Sequence, residues 1–422
     1  MSALINASSL QDDYYDATSG TGEKVILGYY APWDGGSVES IPFSKYTHIN
    51  YAFGLVYKRD DPAHIETDPW YDGPKMKKLV ELSHQNGVKV LLSIGGWTGG
   101  QTYSVLAKEE KLRKQYIDEA IAFLKDTTWT DPKTNGTGWG FDGIDIDWEY
   151  PGRPGISCNE WDHEDSSNYL KLLRELRAEM NKQFPGDHKL LTAAVRVEPF
   201  DGSNGRPMHD ISHFMNLFDY ISLMAYDLMG PWSKITGPNA PLDCDEKNPE
   251  NQYSLNQAID SWSKAGASLN KLVAGIPFYG RSSTAKVNML LDKDNIYQPK
   301  EDVTPKGDES DSNEVNRVCP EPPTYSGFYK YKYLRKDILV SDPYTPEGDW
   351  KRVWDTKTKT PWLFNTKDNR FISYDDPESI RLKVDSVRNK GLRGVMCWDI
   401  SLDYNDELVD ILNLVKKPPS VY

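Results

Sequence analysis

"GFDGIDIDWEYPG", residues 140–152, decides how this chain folds. Side chains alternate along a strand, so Asp145, Asp147 and Glu149 fall on one face and Ile144, Ile146 and Trp148 on the other. Neighbours on one face stand roughly 6.5–7 Å apart, from a rise of about 3.3 Å per residue. The apolar face has to be packed under helices, which leaves the carboxylates facing a shielded interior. Like charges that close cannot all ionise easily there, so at least one proton is retained and some pKa values rise. Glu149, at the C-terminal end of the strand, is then placed to act as a general acid near neutral pH. Asp147, one step deeper, can share a proton with Asp145 and orient a bound group. Asp142 and Asp145 read as the buried support of that relay. Two other readings compete. A divalent cation suits clustered acids, but a rigid strand spaces its oxygens too widely for one ion. A solvated surface strand conflicts with the apolar face.

Seven more segments read as strands: "KVILGYY" (24–30), "THINYAF" (47–53), "VKVLLSIGG" (88–96), "KLLTAAV" (189–195), "DYISLMAY" (219–226), "KLVAGIPFYG" (271–280) and "RGVMCWDI" (393–400). Helical patterns lie between them at 74–86, 107–126, 166–183 and 254–266. A further one, 376–390, has Asp376 as N-cap, Pro377 at the first position and Gly391 just past the end. "SLDYNDELVDILNLVKK" supplies a last helix. Eight near-continuous apolar strands alternating with helices predict an α/β fold, a closed (β/α)8 TIM barrel. From 282 to 371 the sequence turns polar and aromatic, and "YKYKYLRKDILV", "WKRVWDTKTKTPWLF" and "NRFISYDD" read as hairpin strands. That predicts a small α+β insertion domain over 282–371 between the seventh and eighth strands, a barrel over 23–281 and 372–422, and a flexible polar lead-in over 1–22.

The net charge of −14 and the lack of a Lys/Arg cluster exclude nucleic acid as a partner. No apolar run reaches about 18 residues, which excludes a membrane-spanning helix. The first residues lack a basic and an apolar region, so no signal peptide is read. A cytoplasmic protein, or one exported by a non-classical route, is expected; an extracellular one follows if a leader was removed. A monomer is expected. Four cysteines are too few and scattered for a disulfide framework, although a Cys244–Cys319 bridge between loops is one option, and Cys397 reads as a buried thiol. Asn6 and Asn135 match glycosylation acceptors.

"FDGIDIDWEYP" resembles the D-x-x-D-x-D-x-E signature of glycoside hydrolase family 18, the chitinases. "LLSIGGW" (91–97), "LMAYD" (223–227), "GIPFYGR" (275–281) and "GVMCWDIS" (394–401) are similar to that family's strand-three, -six, -seven and -eight motifs, in the same order. The resemblance implies retaining, substrate-assisted cleavage of β-1,4 links between N-acetylglucosamine units, with chitin and its oligosaccharides as partners and no metal or organic cofactor. It makes Glu149 the acid, and Asp147, steadied by Asp145, the residue that orients the N-acetyl group. Tyr226 would offer its hydroxyl to that group, Met224 would line the pocket, and Asp227 and Arg281 would hydrogen-bond the sugar. Ser93 and Tyr29 would hold the inner Asp cluster from below. Trp398 would form the floor, Trp97 and Trp232 the platforms on the leaving-group side, and Tyr30 and Phe53 join the sugar-binding set. Trp33, Trp161 and Trp362 read as packing residues, and the glycines of "GGWTGG" as a tight turn or a close approach to the sugar. Two rival functions share the fold: a chitin-binding lectin, and an endo-acting enzyme that cuts the core of N-linked glycans.

Overall fold

Eight parallel strands close a barrel in the computed structural model, which describes residues 23–68, 71–125, 139–250 and 252–418. The expected lead-in 1–22 and the acceptors Asn6 and Asn135 lie outside the described residues. The first seven barrel strands are β1 (Val25–Tyr30), β2 (His48–Gly54), β3 (Lys89–Gly95), β4 (Gly143–Asp147), β5 (Leu190–Val195), β6 (Tyr220–Leu223) and β7 (Leu272–Pro277). An antiparallel sheet follows: β8 (Tyr279–Thr284), β9 (Phe328–Lys330), β10 (Trp350–Asp355), β11 (Thr360–Asn365) and β12 (Arg370–Ser373), in the order β10-β11-β12-β8-β9. The last barrel strand, β13 (Gly394–Trp398), lies between β1 and β7 and closes the ring. Helices α1 (Asp72–Gln85), α2 (Tyr103–Lys108), α3 (Glu110–Leu124), α4 (Asp165–Gln183), α5 (Ser212–Met215) and α6 (Leu255–Lys264) sit in the connections between barrel strands. They are joined by α7 (Tyr331–Asp337) beside the inserted sheet, and by α8 (Pro377–Lys390) and α9 (Glu407–Leu412) flanking β13. Among the described residues no helix is long and apolar enough to cross a membrane.

Alternation along each strand separates two cores. Val25, Leu27 and Tyr29 of β1 point into the barrel with Ala52, Tyr220, Val273 and Met396, while Ile26 and Tyr30 join the layer between strands and helices. Tyr30 is therefore a correction to the sugar-binding set: its ring packs against Tyr51 and its hydroxyl donates to the Gly36 carbonyl at 2.9 Å. On β4 the outward residues Ile144 and Ile146, with Trp148 just beyond, are fully packed. The Trp148 indole stacks on Tyr103 at 5.2 Å and meets Tyr169 edge-on at 5.2 Å.

Asp142 is a second correction. It precedes β4, and its offset of three from Asp145 takes it out of the inward phase, to the end of the barrel away from Glu149. Burial pushes its carboxyl up, but the Val90 N–H at 2.8 Å, His84 at 2.9 Å and Lys89 at 3.1 Å outweigh that and hold it below the ordinary range. It joins the base of the barrel, not the relay.

Only Phe278 separates β7 from β8, so the inserted sheet continues directly from a barrel strand. "YKYKYLRKDILV" corrects the hairpin expectation. After β9 pairs with β8 the chain turns into α7, whose Tyr331 and Leu334, three apart, are buried in the core. The bridge also differs from the expectation: Cys158 pairs with Cys319 across 161 residues, and Cys244 is a free, exposed thiol. The start of α8 has the expected Asp376 cap, with a reciprocal Ser379 bond and Gly391 in the left-handed conformation at its end.

Lys383 of α8 and Asp375 form an ion pair at 2.6 Å with side chains 2% and 1% exposed. Removing one partner strands a buried charge, which costs about 3–5 kcal/mol. Asp375→Ala should lower the unfolding free energy in urea by about that amount, and adding Lys383→Met should recover much of it.

Candidate active site

The inward face of β4 builds the site. Parallel register sets Ser93 of β3 and Thr192 of β5 beside Asp145. Thr192 donates its hydroxyl to Asp145 Oδ1 at 2.6 Å, Ser93 to Oδ2 at 2.8 Å, and Tyr29 reaches across the barrel to Oδ2 at 2.7 Å. Burial pushes the Asp145 carboxyl up and these hydroxyls pull it back. Asp147, one layer higher, has no such support: its Oδ1 is buried and finds no hydrogen-bond partner among the described residues. Burial, then the charges of Glu149 and Asp145, drive its carboxyl well above the usual range. A buried oxygen without a donor is costly unless it carries a proton or meets a ligand donor.

Glu149 lies two residues beyond Asp147, just past the end of β4. Burial pushes its carboxyl up to about 7, a side-chain hydrogen bond with Tyr150 opposing and the charge of Asp227 adding to the rise. Its backbone carbonyl accepts from Asn159 Nδ2 at 2.8 Å. Tyr150 and Asn159 were not singled out by sequence; adjacency to the acid was the only signal for Tyr150, and Asn159 had none. Tyr226 packs in the same interior, its phenol driven up by burial and by the charges of Asp147 and Glu149. Met224 is half-buried just past the end of β6.

Gly95 and Gly96 end β3 with positive φ values of 113° and 81°. A Cβ on Gly95 would sit 2.1 Å from the Asp147 carbonyl, and one on Gly96 would strike the Phe53 ring. The pair lets β3 turn tightly against the carboxylate layer, with Gly96 N–H bound to the Asp147 carbonyl at 2.9 Å.

Aromatic rings line the barrel mouth. Trp398, at the end of β13, stacks on Phe53 with centroids 5.7 Å apart and planes 15° from parallel, and contacts Tyr29 at 5.4 Å. Trp33, set aside as packing, is a correction. It is 55% exposed, stacks on Phe53 at 6.0 Å and extends the same floor. Like Trp398 at the end of β13, it stands at the end of a barrel strand, just after β1. Trp362 is buried in the inserted sheet, and Trp161 is exposed beside His163. Trp97 and Trp232 are exposed, at 49% and 57%. Asp227, in the left-handed conformation at φ 54°, takes two hydrogen bonds of 2.8 Å from Arg281, whose guanidinium lies 5.2 Å from the Trp232 ring centre. Asp227 and Arg281 are thus bound to one another at the junction of barrel and inserted sheet. A carboxyl that retains its proton near neutral pH, a buried carboxyl oxygen without a donor among the described residues and a flat aromatic floor together suit proton transfer to a ligand that brings an N–H donor and an apolar ring face.

The profile of the family described as Glycosyl hydrolases family 18 matches residues 25–403. A protein of Moniliophthora roreri named "chitinase-like effector" is 32% identical over 92% of this chain and 92% of its own. The crystal structure of a chitinase from Rhizomucor miehei superposes with a TM-score of 0.80 at 30% identity, over 93% of this chain and all of that one. A class V chitinase from Nicotiana tobaccum, solved with NAG4, gives 0.74 at 26% identity over 94% of this chain and 99% of that one.

Glu149 titrates about 7 in the folded chain against an ordinary 4.5. The folded state therefore holds this proton more tightly than the unfolded one. The associated stability is complete below about pH 4.5 and is lost as pH rises through 7, a drop of about 3 kcal/mol. Glu149→Gln cannot lose a proton, so its Tm should exceed that of the unaltered chain at pH 8, with the gap shrinking towards pH 4.5. An equal gap at both pH values would mean that the carboxyl is ionised throughout.

Proposed function

The chain belongs to glycosyl hydrolase family 18, and on that footing we propose that it is a chitinase that cuts β-1,4 N-acetylglucosamine links with retention of configuration. One observation carries the reading: the buried Glu149 carboxyl, pushed up to about 7 by that burial, stands two residues beyond Asp147, whose buried Oδ1 finds no donor among the described residues. The solved relatives titled chitinases, one of them with a bound N-acetylglucosamine oligomer, support the substrate class.

In the proposed reaction Glu149 gives its proton to the glycosidic oxygen, and the leaving sugar departs with the bonding electrons. The carbonyl oxygen of the substrate's own N-acetyl group attacks the anomeric carbon from the opposite side. Asp147, having passed its proton to Asp145, accepts a hydrogen bond from the acetamido N–H and offsets the positive charge that develops there, in an interior where such a charge is poorly screened. Tyr226 donates its hydroxyl to the same group. Water then attacks the anomeric carbon, Glu149 takes back a proton, and the acetamido group is restored. Two inversions at one carbon return the β configuration. Trp398 and Phe53 supply apolar area under the reacting ring.

A second reading, a protein that binds these chains without cutting them, draws on the relative from Moniliophthora roreri, whose name claims likeness to a chitinase. Incubation with N-acetylglucosamine tetramer and hexamer separates the two. Short products appearing first as the β-anomer by NMR support the hydrolase, and binding without cleavage the second reading.

Glu149→Gln should keep oligomer binding and lose about 10²–10⁴-fold in kcat, the usual share of a general acid. For the unaltered enzyme, kcat/KM should fall about tenfold per pH unit above about 7, where Glu149 loses its proton. A flat profile to pH 9 would remove Glu149 from the acid role.

A further inference from the structure

The inserted sequence between Asp311 and Ser326 forms a closed loop with a specific neck. The Asp311 carboxylate accepts from Gly307 N at 2.8 Å, from Ser326 N at 3.2 Å and Oγ at 2.8 Å, and from Gly327 N at 3.1 Å. Ser312–Tyr325 therefore leaves and returns at one point, as an Ω-loop does. The neck lies beside the Trp232 platform. Arg281 donates to the Ser326 carbonyl at 3.4 Å, and Gly327 packs so close to Pro231 that a Cβ would come within 3.0 Å of its ring.

The tip of the loop is held on the other side of the mouth. Cys319, fully buried, is bonded to Cys158 in the connection that follows β4. One residue earlier, the Val318 carbonyl accepts from Gln101 Nε2 at 2.9 Å. The same amide donates to the Thr98 carbonyl at 2.9 Å, next to Trp97. Ser157 Oγ donates to Glu321 at 2.7 Å. In barrel order β5 stands between β4 and β6, so a loop reaching from the ends of β6 and β7 to those of β3 and β4 crosses that side of the mouth. It runs from one exposed indole, Trp232, to another, Trp97. The hydrogen bonds at the tip are partly open to water and exchange with it readily. The covalent bridge does not.

We propose that Ser312–Tyr325 is a strap which the Cys158–Cys319 bridge holds across the leaving-group side of the groove, so that a sugar chain enters by its end. The inference rests on the reading of the groove as a binder of N-acetylglucosamine chains and adds how that groove admits them. With the bridge intact, a long chain is accepted at its few ends. With the bridge broken, the strap swings from its Asp311 neck and interior stretches of the chain gain access. A dithiol reductant breaks it by converting the two sulfurs to thiols and itself to the cyclic disulfide, with no other reactant needed.

The test is binding to chains carrying Glu149→Gln, which removes turnover. Association rates are measured by tryptophan fluorescence with N-acetylglucosamine dimer and with a long soluble chitin, glycol chitin, at equal sugar concentration. Adding Cys319→Ser should raise the rate with the long chain at least about tenfold and leave that with the dimer within about twofold. Reduction and alkylation of the folded chain should do the same, and this gives the comparison if Cys319→Ser does not fold. An unchanged ratio of long-chain to dimer rates overturns the strap. Equal losses with both ligands also overturn it, because the bridge would then act by steadying the Cys158–Asn159 turn under Glu149. Failure of either form to bind any N-acetylglucosamine chain overturns the chitinase reading, and the strap with it.

Discussion

Everything around the reactive face depends on an unequal sharing of hydrogen-bond donors between two carboxylates on one strand. Asp145 receives three hydroxyls, from Tyr29, Ser93 and Thr192, on three different strands. Asp147, a single pleat higher, is left with a buried oxygen that nothing in the described protein satisfies. Only a closed ring can bring β1, β3 and β5 to bear on one group of β4. The barrel thus saturates the lower acid so that the upper one stays available. A donor added near Asp147 would ease its burial and occupy the oxygen that, in the proposed reaction, accepts from the substrate N–H.

The two sides of the mouth are built by different means. The floor is made of rings carried at or just beyond the ends of barrel strands: Phe53 on β2, Trp398 on β13 and Trp33 after β1. These pack on one another, and the inserted sheet steadies their rim through Lys330 of β9, which pairs with Asp34 beside Trp33 at 2.6 Å. The opposite side depends on that sheet. Arg281 of β8 grips Asp227 beyond β6, and the Cys158–Cys319 bond ties the connection after β4 to the inserted sequence. With one residue between β7 and β8, the sheet is less an appendage than a continuation of the barrel wall.

Much of this was legible in the chain. Runs such as "KVLLSIG" and "LVAGIP" announce buried parallel strands because both of their faces are apolar, and period two assigns Asp145 and Asp147 correctly to one face. The same rule, applied strictly, would have excluded Asp142, three residues from Asp145, and would have turned Tyr30 outward from its neighbour Tyr29. Trp33 reads as a packing residue in sequence because no motif contains it, although like Trp398 it stands at the end of a barrel strand. The Cys158–Cys319 pairing had no local signal at all: 161 residues separate the two, and only the path of the inserted loop brings them together. For α7 the aromatic alternation of "YKYKY" suggested a strand, but burial of Tyr331 and Leu334 on one helical face prevailed.

The place of β13 has a bearing on how the molecule is made. It pairs with β1 and with β7, joining Val25 to Gly394 and Val273 to the same residue. Until the ribosome has released the chain well past Trp398, the other seven strands can form only an open sheet, with β1 and β7 as bare edges. Unpaired edges of apolar parallel strands invite pairing with other chains. Such long-range contacts also close slowly, because the intervening chain must be ordered before they form. The nascent protein therefore carries two unpaired parallel edges throughout the synthesis of its inserted sheet, and the last barrel strand is also the one that hides them.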